Sequence, residues 1–333
     1  MPLASIHLIA LTKDTSIPSF LSTLKSSALQ PLVVSKVIRW IITPSTIDAD
    51  ALLKPKWDIL LITPGTDPLP DTLTQSIQTH WSTTTGIPSR LTTDFPKTNM
   101  HLLHPARTPK LTGSLSNPRI GSTSQTLELS SDLSDWIQQF AQTSTGKQPL
   151  SMLNLLAFKD GMKESYLTYG KAFAESIGAK RGGTAKLVGN IVPAPQAAHT
   201  TPPLGAAEEP LVPSGKSTGS TKASNASLDG SHTTPPLGGS EAPLVGGGSS
   251  STSTTKASNA GATEGKSEGK KWDEFALASY PSILHFADML ASEDYQAVNL
   301  KYRVPALEDT LILCTSEIEI EDLLAGKENK AKL

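Results

Sequence analysis

The sequence predicts an α+β fold built from two copies of one βαββαβ module, and three observations point to it. The phrase K-W-D-I-L-L-I-T-P at 56–64 returns as K-W-D-E-F-A-L-A-S-Y-P at 271–281. Around each copy, strand-like apolar runs and stretches of helical spacing follow one another in the same order. Between 194 and 270 there is no Phe, Trp, Tyr, Ile or Met, so the core-forming residues are concentrated in the flanking segments.

Each element follows from a local pattern. In the first module, I-H-L-I-A-L at 6–11 reads as a strand, I-P-S-F-L-S-T-L at 17–24 as a helix, 32–42 as a second strand and W-D-I-L-L-I-T at 57–63 as a third. Leu69 to Trp81 is expected to be the second helix, followed by an extended region around 89–104. Leu133, Trp136, Ile137 and Phe140 share one helical face and predict a linking helix over 131–141. In the second module, M-L-N-L-L-A-F at 152–158 is a strand bounded by the turn Asp160-Gly161. Tyr166, Tyr169, Phe173 and Ile177 make 162–177 an amphipathic helix, and A-K-L-V-G-N-I-V at 185–192 is the second strand. Residues 272–280 form the third strand, 282–291 a helix that buries Ile283, Phe286, Ala287 and Leu290, and T-L-I-L-C-T at 310–315 the fourth strand. This is the ferredoxin-like order. A sheet with helices on one face must bury the other, so the two modules are expected to pack sheet to sheet as an intrachain pseudo-dimeric α/β barrel and the chain to be a monomer. The repeated Lys-Trp-Asp is read as turn chemistry with an aromatic anchor at a strand start rather than as a catalytic Asp58 or Asp273.

The expected domains are 1–146, the first module with its linking helix; 147–193 with 271–316, the second module; 194–270, a disordered insert; and 317–333, a flexible tail. The insert repeats itself: H-T-T-P-P-L-G at 199–205 returns at 232–238, and T-K-A-S-N-A at 221–226 returns at 255–260. With almost nothing apolar to bury, it cannot offset its chain entropy. Asn225-Ala226-Ser227 matches a glycosylation acceptor, read as a chance match.

Composition narrows the partners. A formal net charge of -2 supplies no basic field for nucleic acid or an anionic membrane. The single cysteine, Cys314, excludes an internal disulfide framework and reads as a buried hydrophobe. No run reaches the roughly 18 apolar residues of a membrane span. His101 and His104 lack further ligands nearby in sequence, so no metal is expected. Arg181-Gly182-Gly183 reads as a helix C-cap rather than a phosphate cradle.

Several spaced strings carry a family resemblance: M-L-N-L-L-A-F-K at 152–159, Y-G-K-A-F at 169–173, W-D-E-F-A-L-A-S-Y-P-S at 272–282, F-A-D-M-L-A-S-E-D-Y at 286–295 and R-V-P-A-L-E-D at 303–309. Together they resemble the domain-of-unknown-function 1330 family of the dimeric α/β-barrel (ferredoxin-like) superfamily. Residues 1–146 are similar only in element order, and the whole looks like uncharacterised two-domain fungal proteins. The resemblance implies a barrel made by two modules with small-ligand pockets. It settles no reaction, because the superfamily includes cofactor-free monooxygenases, isomerases and proteins without known activity.

The candidate chemistry lies in the second module. Asn154 and Tyr280 on strands would orient a carbonyl or enol, Tyr166 would line the same pocket, and His285 would act as general base. The competing reading makes the tyrosines core aromatics and places His285 on an exposed face with Asp288 and Ser292. Arg303 would bind a substrate carboxylate, or else pair with Glu308. Ala331-Lys332-Leu333 is a variant of the S-K-L address, which leads to an expectation of peroxisomal import through its receptor, with the cytoplasm as alternative. Two functions stay open: an enzyme or binder for a small carbonyl, enol or acyl metabolite, working by proton transfer without metal or redox cofactor, and a non-catalytic scaffold whose insert binds partners.

Overall fold

A computed structural model of the chain describes residues 1–192 and 270–326. The expected insert up to 269, its acceptor Asn225 and the tail Ala331-Lys332-Leu333 lie outside the described residues.

The first half runs β1 (Leu3–Leu11), α1 (Ile17–Ser26), β2 (Val33–Ile42), α2 (Ala49–Leu53), β3 (Ile59–Pro64), α3 (Asp71–Thr74), β4 (Ile77–Gly86), α4 (Ser89–Thr92) and α5 (Phe95–Leu103). The link carries α6 (Ser131–Phe140). The second half runs β5 (Leu150–Phe158), α7 (Lys163–Ala172) continued by a π-turn at Phe173–Ile177, β6 (Thr184–Val192), β7 (Glu274–Tyr280), α8 (Ile283–Leu290), α9 (Glu293–Val298), β8 (Leu307–Ser316) and α10 (Ile318–Leu324).

All eight strands pair antiparallel into one closed barrel, in the circular order β4-β1-β3-β2-β8-β5-β7-β6. Going round the barrel, each half contributes its fourth, first, third and second strands in that order. The halves do more than face one another. Edge strand β2 pairs with β8, and β4 with β6 through Thr84–Val192, Thr85–Ile191 and Gly86–Asn190, so the two halves join at both edges, the second join spanning one end of β4 and β6. Gly189 permits the second join, since a Cβ there would lie 2.5 Å from Thr85 Oγ1 and 2.6 Å from Gly86 O.

Alternation along the strands sorts the core into layers. Ile6, Leu8, Leu60, Ile62, Leu153, Leu155, Phe275, Leu277, Leu311 and Leu313 point inward and fill the barrel, joined by the buried Trp57 and Trp272. The opposite faces are covered by helices: α1 packs Phe20, Leu21 and Leu24 on Ile9, Leu11, Ile59 and Leu61, while α6, α7 and α8 pack on Met152, Leu156, Ile312 and Cys314.

The repeated phrase does the same job twice. Asp58 accepts the Leu11 N–H at 2.8 Å, and Asp273 accepts the Phe158 N–H at 2.7 Å, each carboxylate closing the end of the neighbouring first strand of its half. These aspartates lock strand ends, which is the form that the expected turn chemistry takes.

Three expectations need correction. The helix expected over 69–81 is a single turn, α3, and the Thr-rich run that contains Trp81 is strand β4, because β-branched residues in alternation favour the pleated surface. The region expected to be extended at 89–104 is helical, with Phe95, Asn99 and Leu103 buried four residues apart. The tail begins later than expected, since α10 docks Ile320 among Phe20, Leu24 and Leu73.

Candidate functional site

A cavity of about 280 Å³ lies between α7 with its π-turn and the outer face of β5, β6 and β7. Its floor is open because Ala185, Ala276 and Ala278 are small, and Gly170 and Ala174 thin the helical roof. Glu274, Ala276, Ala278 and Tyr280 alternate on β7 and all line it. Apolar walls come from Met152, Phe173, Val188, Phe286 and Ile312, and from Leu127 of the link.

The polar groups are few and convergent. Asn154 Nδ2 donates to Met152 O at 3.0 Å, and among the described residues its Oδ1 has no protein partner. Among the described residues Tyr280 donates only to the weak acceptor Sδ of Met289, at 3.8 Å. The hydroxyls of Tyr169 and Tyr295 lie 3.2 Å apart. Burial pushes the phenols of Tyr166, Tyr169, Tyr280 and Tyr295 upward, and Arg303 nearby opposes this only in part, so they stay neutral hydrogen-bond donors at physiological pH. Burial likewise raises the Glu274 carboxyl, against the pull of Lys163, whose Nζ is 3.6 Å away.

Of the residues singled out by sequence, Asn154, Tyr166 and Tyr280 meet in this cavity. His285 does not line it. The imidazole is buried, with Nδ1 2.7 Å from Ser282 Oγ and Nε2 donating to Pro109 O at 2.9 Å, so it fastens the link to α8. The exposed-face reading is corrected too, because Asp288 and Ser292 are also buried, and Asp288 accepts the Thr112 and Ser114 N–H groups. Arg303 lines a different cavity and forms no ion pair with Glu308 among the described residues. Burial pushes the Cys314 thiol up to about 12, which fits an inert core residue. Gly182 caps its short helical turn in the left-handed region, at φ 72°, and Arg181 is engaged by Asp288 and Asp294 at 3.4 and 2.9 Å.

Glu274 and Leu127 were not anticipated. The signal for Glu274 was the two-residue period of polar and small residues along β7. Leu127 gave no sequence signal. It sits at φ 59°, a region uncommon for leucine, and is held there by Gln296, which donates to Leu127 O at 3.1 Å, and by Asn299, which donates to Thr126 O at 2.9 Å. Comparison with family models, curated proteins and solved structures finds no match for this chain.

Proposed function

We propose that the chain is an intrachain pseudo-dimer of two ferredoxin-like modules, of which the second binds a small, largely apolar metabolite through a carbonyl, enol or acyl oxygen. The observation that carries this reading is the cavity under α7. Its volume is close to the ~300 Å³ at which small-molecule sites begin, and a few polar groups converge in an apolar lining. The phenol O–H groups of Tyr166 and Tyr280 would donate to the ligand oxygen, and Asn154 Oδ1 would accept from an enol O–H. Glu274 takes the role of proton acceptor that the sequence suggested for His285, because it is the half-buried carboxylate in the lining. In such a step the C–H bond next to the carbonyl breaks, its proton goes to Glu274 and its electron pair becomes the enolate. The strand order and the twin aspartate locks support the pseudo-dimer, and the apolar cavity with its convergent polar groups supports the binder.

Native mass spectrometry of the protein purified from its own cells tests the reading. A co-purifying carbonyl, enol or acyl compound is expected, lost in Ala276→Leu and weakened about tenfold in Tyr280→Phe, the equivalent of one hydrogen bond of ~1.4 kcal/mol. A ligand retained unchanged by Ala276→Leu would place the binding elsewhere and end the assignment.

A further inference from the structure

The most buried cations of the described residues divide in an unequal way. Arg181 is engaged by Asp288 and Asp294, and Lys186 by Glu317 and Asn99. Arg303, 1% exposed, has no carboxylate partner among the described residues. Its Nη2 donates to Thr310 Oγ1 at 3.4 Å, and the guanidinium also hydrogen-bonds the Tyr166 hydroxyl, so its partners are neutral oxygens. An unpaired charge held out of water costs several kcal/mol, so a guanidinium left in this state calls for an anion.

Arg303 opens onto a cavity of about 250 Å³ that shares no lining residue with the one under α7. Thr43, Ser45, Thr126 and Thr310 line it; the hydroxyls of Ser45, Thr126 and Thr310 donate to Asp309, Glu128 and Leu155 O, while Thr43 Oγ1 accepts from Gln125 and keeps its O–H to donate. Asp309 also lines it but is spent elsewhere: its carboxylate accepts the N–H groups of Ser45, Thr46 and Ile47 at 3.0, 2.9 and 2.8 Å, and the hydroxyls of Ser45 and Thr46. Glu308 is exposed at the rim. The strained link segment is the partition, with Leu127 in one cavity and Gln125 and Thr126 in the other.

We infer that this second cavity is a binding site for a small carboxylate, gripped by the Arg303 fork with the Thr43 O–H as a further donor. The planar fork matches a carboxylate in a bidentate way, which a lysine could not do.

Thermal melts and isothermal titration calorimetry of the full chain with acetate, inorganic phosphate and chloride at matched ionic strength test the site. Acetate at ten times its Kd is expected to raise Tm by about 3 °C, and chloride to leave it unchanged. Without acetate, Arg303→Met is expected to melt no lower than the parent, since it removes an unpaired buried charge, and to lose the acetate shift. Arg303→Lys, which keeps the charge and serves if the methionine variant does not fold, should bind acetate about tenfold more weakly. Ala276→Leu, which fills the other cavity, should leave the acetate response intact, so the two sites fail separately. Equal responses to acetate and chloride, an acetate shift that persists in Arg303→Met or stays at full strength in Arg303→Lys, or a response to phosphate alone would overturn the assignment.

Discussion

The two halves of the barrel use one backbone plan and finish it differently. In both, an aspartate after a tryptophan closes the first strand, and the register of the first and third strands agrees: His7 faces Leu61 as Asn154 faces Ala276. The side chains on the helix-covered face then part ways. In the first half Leu61 fills the space that Ala276 leaves open, and Thr63 accompanies His7 where Ala278 accompanies Asn154. His7 Nε2 is 3.1 Å from Thr63 Oγ1 and Nδ1 is 2.9 Å from His80 Nε2, so the polar groups of that face satisfy one another. In the second half Asn154 keeps an acceptor without a partner among the described residues, and the small residues keep a void. A few side-chain volumes decide whether that face is filled or hollow, with no change of strand order.

Exchanging those volumes is the strongest way to break the comparison. Leu61→Ala is expected to destabilise the protein by about 2–5 kcal/mol, as a large-to-small change at a fully buried site, read by denaturant unfolding. The reciprocal Ala276→Leu has a void to grow into and should cost less than about 1 kcal/mol. Equal losses in both variants would mean that the cavity is not a true difference between the halves.

The histidine pair supplies the next test. Burial, then the neighbouring His80, pushes His7 from 6.5 down to about 4. The folded state thus holds this imidazole neutral, and the unfolded chain binds more protons between these values. The contribution is complete above about pH 6.5 and is lost as pH falls toward 4, by up to about 3 kcal/mol. Unfolding free energies measured at pH 7 and pH 4.5 should show the drop, and His7→Asn, which installs the second half's residue, should flatten it. An unchanged slope in that variant would assign the pH dependence to other groups.

The smallest effect sharpens what the halves share. Asp58→Ala and Asp273→Ala each leave one strand-end N–H without its carboxylate and should each cost about 1–2 kcal/mol, in equal measure and additively, since each lock serves its own half. A loss confined to one variant would show that the repeated phrase is not a repeated function.

Much of this was legible in the chain. The βαββαβ order of the second half, the linking helix and the apolar stretches came from periodicity, because burial on one face imposes a period of two or 3.6 on any sequence. The first half was harder to read: β4 has an exposed, Thr-rich face with little apolar signal, and its status as a strand depends on pairing with β1 and β6. At the candidate site, Asn154, Tyr166 and Tyr280 could be brought together from element order alone. His285 and Arg303 could not be placed, because the link that captures the first, at Pro109, lies far away in sequence, and the cavity that the second lines is walled in part by Gln125 and Thr126 of the same distant link.

By itself, then, the sequence determined the composition of two sheets and the side of each strand that is apolar, which are local properties written every second or fourth residue. The tertiary structure decided that the sheets close edge to edge, that one helix-covered face is filled while the other is hollow, and that a buried arginine faces a cavity of its own. Those outcomes depend on which distant atoms meet and on how much volume they leave, and volume is summed over neighbours that no local pattern names.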